Sequence, residues 1–279
     1  MTEKVSLLST LLGLSMIVEA RDPYTGGHLW RVSQFSKLLA QQAGLSRRGI
    51  ALCEVGGFLH DLGKVGVPDA ILNKPDRLTQ GEYDIIKTHP AVGARLLSNH
   101  PLASLAFEAV VGHHERPDGN GYPNGLAGEV IPEVARIVSI ADAFDAMTST
   151  RPYRKGMPME KALSIIGAEA GRQFDATLVG HFMALSGTSQ LAHIVGHSEP
   201  GLPMHPCPAC EGPLVLRRNQ REGAYVYCRA CGAESRLHKS GDTVRLELTG
   251  QMGDASVLAP DCDTDLIGAT VEEIAPYVL

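Results

Sequence analysis

Apolar positions in the first two thirds of the chain recur at helical spacing, and the polar residues that interrupt them fall where the runs end. Leu7, Leu11, Leu14 and Val18 share one face of an opening helix, which the Asp22-Pro23 turn stops. A second helix starts at His28 and runs through Val32, Phe35, Leu38 and Leu39 to Gly44. A third begins near Ser46, carries Ile50, Leu52, Val55, Phe58 and Leu59, and ends at His60-Asp61. Thr79-Gln80-Gly81-Glu82 has capping-box spacing and predicts a short helix before His89-Pro90, where Pro90 suits the first turn of the next helix, to about Ser98. Leu102 to Val111 predicts a helix that ends in His113-His114 and is followed by a glycine- and proline-rich loop to Pro123. Val134 to Ser149 predicts another, with Asp142 and Asp145 three apart. Strand patterns are almost absent up to residue 187, so this part reads as all-α.

The pattern then changes. Residues 188–206 loosen into Gly, Ser, Pro and His and are expected to form a linker. Beyond them, Cys207-x2-Cys210 and Cys228-x2-Cys231 bracket alternating segments at Leu214 to Leu216 and Tyr225 to Tyr227, and Thr243 to Leu248 follows. Two C-x2-C pairs around a hairpin predict a small β zinc ribbon over residues 207–248, with a structural zinc on Cys207, Cys210, Cys228 and Cys231. Two redox-active pairs are the alternative. Cys53 lies within an apolar helix and reads as core, and Cys262 is unassigned. From Leu246 to Leu279 there are seven acidic residues and no Lys or Arg, which predicts an acidic C-terminal tail over 249–279. The helical domain spans 1–187, and because none of the candidate ligands below lies beyond Asp142, residues 1–190 are expected to fold and act without the ribbon.

Composition narrows the function classes. With 279 residues and 44% hydrophobic content, the chain can bury one full core and one small one. A net charge of −6 offers no general attraction for nucleic acid, and the weak basic excess of the ribbon does not supply one, leaving a protein partner as its expected contact. Val5 to Val18 is apolar but is broken by Ser, Thr and Gly and is too short to span a bilayer. Cysteines in close pairs suit metal thiolates in a reducing cytoplasm better than a disulfide framework.

The candidate chemistry lies in the polar residues at the helix ends: His28, His60, Asp61, His89, His113, His114 and Asp142. Burying so many unpartnered imidazoles and carboxylates would cost several kcal/mol, which a shared metal centre offsets. Five imidazoles and two carboxylates without a thiolate favour iron or manganese. Asp61, attached to His60, is the natural bridge between two ions, leaving open positions for a bridging hydroxide and two substrate oxygens.

H-D-L-G-K at His60 to Lys64 and H-H-E-R-P-D-G-N-G-Y-P at His113 to Pro123 resemble the HD-GYP family, a helical group of HD-domain phosphohydrolases that hydrolyse cyclic di-GMP. The resemblance covers about residues 1–187 and extends to E-A-R-D-P-Y-T-G-G-H at Glu19 to His28, A-D-A-F-D-A-M at Ala141 to Met147, R-P-Y-R at Arg151 to Arg154 and G-R-Q-F-D at Gly171 to Asp175. It implies an HD-type helical bundle in which the seven residues above ligate metal and Lys64 stabilises the reacting phosphate. Arg151 and Arg154 would hold the second phosphate or a guanine, and Tyr122 would stack on the ligand or hydrogen-bond to it. Asp145 and Glu115 would orient histidines from behind. The implied reaction is hydrolysis of cyclic di-GMP to the linear dinucleotide or GMP; the alternatives are another cyclic dinucleotide, or a non-hydrolysing receptor or protein-interaction module. Some members bind a third ion through a carboxylate four residues before the first histidine. That position is Tyr24 here, so two ions are expected, with Glu19 and Asp22 directed elsewhere.

Overall fold

The computed structural model describes residues 2–22, 26–74, 76–150, 154–241, 243–259 and 262–279. Its helices in chain order begin with α1 (Thr2–Glu19), α2 (His28–Gln42), α3 (Arg47–Leu59), α4 (Asp69–Leu72) and α5 (Gln80–Ile86). They continue with α6 (His89–Leu97), α7 (Phe107–Gly112), α8 (Glu133–Thr148), α9 (Met159–Ala168) and α10 (Ala176–Ala184). Local signals set several of these ends. Ser46 caps α3 by accepting from Gly49 N, and Thr79 with Glu82 forms the reciprocal capping box of α5. The run from Leu102 yields less helix than its apolarity suggests: a single 3-10 turn at Ala103–Leu105, then α7.

The core is built where α2, α3 and α8 meet. Phe35 of α2, Phe144 of α8 and Phe182 of α10 stack edge to face, with ring centroids 5.0 Å and 5.1 Å apart. In α1 the buried positions are Leu8, Leu11, Leu12, Ser15, Met16 and Val18, whereas Leu14 is 49% exposed. An apolar spacing therefore located the helix but chose its inner face only in part. That helix is apolar nearly all round, and its packing partner decides which side is covered.

That partner comes from the far end of the chain. Strands β1 (His197–Glu199), β2 (Leu202–Pro203), β3 (His205–Pro206) and β4 (Pro213–Leu214) form two small antiparallel pairs. Strands β5 (Tyr225–Tyr227), β6 (Ala233–Ser240) and β7 (Thr243–Met252) form an antiparallel sheet in that order, and α11 (Ala255–Leu258) and α12 (Thr264–Val278) follow. The strands enclose a second small core of Cys207, Leu214, Leu216, Val226, Cys228 and Leu237. Residues 249–279 are therefore not a free acidic tail. β7 continues to Met252, and α12 buries Leu266, Ile267, Val271, Ile274 and Val278 against α1 and α3. Cys262 Sγ donates to Gly13 O at 3.2 Å, a Cβ on Gly13 would lie 3.7 Å from Ile267 Cδ1, and Arg48 donates to the carbonyls of Tyr277 and Val278. The acids had masked a helical period: Asp265, Glu272 and Glu273 all lie on the exposed side. The expected linker is packed as well, with Leu191 and Ile194 in the helical core.

Among the described residues no helix is long and apolar enough to cross a membrane.

This packing argues against the expectation that residues 1–190 suffice. Burial of a Leu, Ile or Val side chain contributes roughly 1.5–3 kcal/mol, so the apolar face of α12 is comparable with the ~5–15 kcal/mol net stability of a domain. A chain cut after residue 190 should lose the cooperative thermal transition of the full chain in circular dichroism. An equally sharp and equally stable transition would show that α12 docking is dispensable.

Candidate metal centre

All of the ligand candidates except Asp142 sit where a helix starts or stops, because an apolar helix can bury its body and still present one polar group at its end. His28 is the first residue of α2, preceded by Gly27 in the left-handed region at φ 72°. His60 and Asp61 follow α3, and the chain then tightens into a 3-10 turn at Leu62–Gly66. That turn presses on the start of α6: a Cβ on Gly63 would lie 1.9 Å from the carbonyl oxygen of His89. His89 opens α6, His113 and His114 follow α7, and Asp142 lies on α8 one turn before Asp145.

The seven residues converge as two triads. Ligand atoms of His28, His60 and Asp142 lie within 4.8 Å of one another, and so do those of His89, His113 and His114. Asp61 stands between them. Its Oδ2 is 3.5 Å from His28 Nε2 and 3.3 Å from His60 Nε2, whereas its Oδ1 is 3.5 Å from His89 Nε2. The Nε2 atoms of His89 and His113 are 3.2 Å apart, close to the ~3.0 Å between neighbouring nitrogens on one octahedral ion.

The rings are aimed from behind. Nδ1 of His60 donates to Gly57 O at 2.8 Å, Nδ1 of His89 to Ile86 O at 2.8 Å and Nδ1 of His113 to Ala109 O at 2.9 Å. His28 Nδ1 bonds Asp145 Oδ2 at 2.8 Å. In each case the second nitrogen is left to face the centre, as metal-ligating histidines require. Nε2 of His60 is buried without a hydrogen-bond partner, a penalty of about 1–3 kcal/mol that a cation removes. The residues therefore fit a pair of divalent ions.

Electrostatics agree. Burial, then neighbouring imidazoles, lowers the pKa of His113 and takes that of His114 down to about 3, and burial lowers that of His89 to about 4. These three rings are neutral at pH 7 and have lone pairs to donate. For His28 burial is outweighed by Asp145 and Asp61, and its pKa is raised to about 9, the response of a site that attracts positive charge. Burial would raise the pKa of Asp61 and of Asp142, but His60 leads the charges that overcome it and keep both carboxylates ionised.

His28, His60, His89 and His113 are buried, whereas His114 and Asp142, one from each triad, are half-buried, so the centre is reached from their side. Tyr122 stacks on His114 there, with ring centroids 4.7 Å apart and planes 24° apart, and burial pushes its phenol up, keeping the hydroxyl protonated. Lys64 Nζ donates to Asp61 Oδ2 at 2.6 Å, placing its charge beside the bridge. Arg154 is used differently from the expectation: its guanidinium donates to the carbonyls of Met147 and Ala146 at the end of α8. Arg151 and Tyr24 lie outside the described residues. Glu19 and Asp22 are not directed elsewhere; both line a small cavity with His28, Asp61 and Lys64, and Glu19 Oε1 accepts from Leu29 N.

Of the two acids expected behind the histidines, only Asp145 has that role. Glu115 instead accepts from Asn124 N at 2.7 Å and Leu126 N at 2.9 Å, tying down the loop that carries Tyr122. That loop folds back so tightly that a Cβ on Gly121 would lie 2.4 Å from Arg116 N. Sequence reasoning missed Arg31, which is 1% exposed and bonds both oxygens of Asp145. Its only signal was a cation inside an apolar helical run three residues after His28.

The second cluster is separate. Cys207, Cys210, Cys228 and Cys231 bring their Sγ atoms within 4.8 Å of one another, with Cys207–Cys231 at 3.8 Å and Cys210–Cys228 at 3.7 Å. Thiolates tetrahedrally placed about 2.3 Å from one ion have edges of about 3.8 Å.

The protein-family model described as "HD domain" matches residues 13–178. The chain is 43% identical over 189 residues to "Cyclic di-GMP phosphodiesterase response regulator RpfG" of Xanthomonas campestris pv. campestris, covering 67% of this chain and 50% of that protein. It is 41% identical over 181 residues to "Cyclic di-GMP phosphodiesterase" of Thermotoga maritima, covering 64% and 49% respectively. It is also 42% identical over 151 residues to "3'3'-cGAMP-specific phosphodiesterase 3" of Vibrio cholerae, covering 54% and 33%. The chain thus spans half or less of the length of these relatives.

Because each oxygen of Asp61 faces a different triad, Asp61→Ala should weaken both ions, by more than the ~10–100-fold typical of residues behind the ligands. Ion counting by mass spectrometry of the native chain checks this. Two ions retained at unchanged affinity would mean that the bridge is assigned wrongly.

Proposed function

The chain belongs to the HD-domain family, and within it to the HD-GYP group whose two signatures, His60 to Lys64 and His113 to Pro123, meet at this centre, and on that premise we propose that it is a metal-dependent phosphodiesterase of cyclic dinucleotides, with cyclic di-GMP as its substrate. The observation that carries the reading is Asp61, with one oxygen toward each triad. His28, His60 and Asp142 would hold one divalent ion, and His89, His113 and His114 the other. When bound, such ions lower the pKa of water and offset the charge that builds on a phosphodiester under attack.

The chain's own residues supply the rest. Main-chain carbonyls and Asp145 hold the imidazole rings, so the ligands need no reorganisation when a substrate arrives. Lys64 sets a cation beside Asp61 where a phosphate oxygen would approach, and Tyr122 offers an aromatic face and a neutral hydroxyl at the open side. Arg151 would grip the second phosphate or a guanine. Arg154 would act from the end of α8, to which its guanidinium is tied.

Five imidazoles and two carboxylates suit iron or manganese, and four thiolates suit a structural zinc. The cytoplasm is the matching compartment, since it keeps such thiolates reduced. A protein partner for the ribbon remains part of the proposal, supported by its exposed β7 strand.

Anaerobic purification, loading with Fe(II) or Mn(II) and chromatography of products from cyclic di-GMP and 3'3'-cGAMP, side by side, test the reading. Conversion of cyclic di-GMP to linear dinucleotide or GMP, abolished by a chelator and restored by the ion, is the expected result. Binding of the nucleotide without any turnover by the loaded chain would show a receptor instead. In the same assay Arg151→Ala should leave ion content intact and raise KM roughly 10- to 100-fold, the loss of a charge-assisted contact of about 1.5–3 kcal/mol. Loss of ions as well would make Arg151 structural.

A further inference from the structure

Arg31 joins the two halves of the chain at a point one residue behind a metal ligand. Its Nε and Nη2 donate to the carboxylate of Asp145, which in turn holds Nδ1 of His28. Nη2 also reaches Ser149 Oγ at 3.1 Å. The remaining nitrogen, Nη1, turns the other way: it donates to Gly26 O at 2.8 Å and to His197 O at 2.9 Å, and it touches Met204 Sδ at 3.6 Å. His197 opens β1, and Met204 stands three residues before Cys207. A guanidinium that is 1% exposed is thus shared between the carboxylate behind His28 and the strands that lead into the four-cysteine cluster.

The same strands press directly on the turn before His28. Gly27 adopts φ 72°, and a Cβ there would lie 2.5 Å from Ser198 Cα. A Cβ on Gly26 would lie 2.3 Å from Val215 Cγ2, in the segment just after β4. β3 and β4 pair as His205 with Leu214 and Pro206 with Pro213, so the Cys207–Cys210 knuckle is the turn of that pair. An ion on the four sulfurs therefore braces β3 and β4, which lead to Val215 over Gly26. Met204, just before β3, donates its N–H to Gly196 O at 2.8 Å, beside β1, which covers Gly27 and presents the carbonyl of His197.

We infer that the C-terminal cysteine module is a positioning element of the metal centre, acting through His197 O, Arg31 and Asp145 to fix His28, so that ion occupancy of the four-cysteine cluster and of the His28–His60–Asp142 triad are coupled. The inference rests on the metal-centre reading above and extends it to regulation. Arg31 is a positioning residue, since it touches none of the proposed ions. Coupling of this kind is reciprocal: zinc in the ribbon tightens the first triad, and an ion in that triad tightens the ribbon's hold on zinc. The His89–His113–His114 triad, in which Ile86 O at the end of α5 aims His89 and Ala109 O of α7 aims His113, stands outside the relay.

The full chain, its cysteine cluster filled with one equivalent of zinc, is titrated with Mn(II), and the bound ions are counted and their affinities measured. The same titration is run on C207S/C210S and on Arg31→Lys, with circular dichroism to confirm the helices. The wild-type chain should bind two Mn(II). In both variants one of the two should bind at least tenfold more weakly while the other is unchanged, and adding His28→Ala should weaken that same ion further and again leave the other unchanged. Two unchanged affinities in either folded variant overturn the inference, and so does equal weakening of both ions, which marks a general loss of structure. Should the variants fail to fold, amide exchange over residues 26–31 in the unmodified chain decides. Faster exchange in the zinc-free chain supports the relay, and equal rates overturn it. A wild-type chain that takes up no Mn(II) overturns the metal-centre reading and this one together. Two bound ions without hydrolysis of any cyclic dinucleotide overturn only the proposed activity, and the ion counts still decide the coupling.

Discussion

Five imidazoles and two carboxylates cannot be gathered into one largely buried site unless their lone pairs and charges have something to act on. Burial first, and then the neighbouring imidazoles, disfavour a proton on His89, His113 and His114, which is why these three titrate far below their ordinary range. The two carboxylates would be expelled by desolvation if no positive charge stood near. The shape of the helical half follows from that constraint. Helices α2, α3, α6 and α7 start or end at the centre, Gly63 lets the turn after Asp61 press on α6, and four of the five rings are held from behind, three by main-chain carbonyls and one by Asp145.

Much of this was legible in the sequence because ligands at helix ends interrupt the apolar period. His28, His60-Asp61, His89 and His113-His114 each mark a boundary that the structure places within a residue or two. What was not legible depends on distant contacts. Arg31 reads as an ordinary helical cation until Asp145, over a hundred residues on, is seen against it. Glu115 follows a histidine pair and so suggests an orienting partner, yet its carboxylate reaches forward to Asn124 and Leu126. Arg154 was assigned by resemblance to substrate, and its tie to the end of α8 is visible only in three dimensions.

The C-terminal third carries the larger lesson about local pattern. Counting acids in α12 suggested solvent, because charge was read without its phase; placed on a helix, the same acids occupy one side and leave on the other a buried stripe that is apolar except for Thr270. α1 presents the complementary problem, being apolar nearly all round, so that its own sequence could not choose a face. The two ambiguities are resolved by each other. Neither helix specifies its environment alone, and the stretch between them in sequence contains both metal-binding candidates.

Fixing ring direction through main-chain carbonyls has a consequence for how such a centre can change over generations. A hydrogen bond to Gly57, Ile86 or Ala109 survives any side-chain replacement that keeps the local backbone, so drift in the surrounding residues leaves the ligands where they are. Variation that alters what the centre accepts is thereby channelled into segments that touch its open side without aiming the rings, such as the loop held by Glu115. The aim of the rings and the lining of the open side are held by different parts of the chain, and one can be inherited while the other diverges.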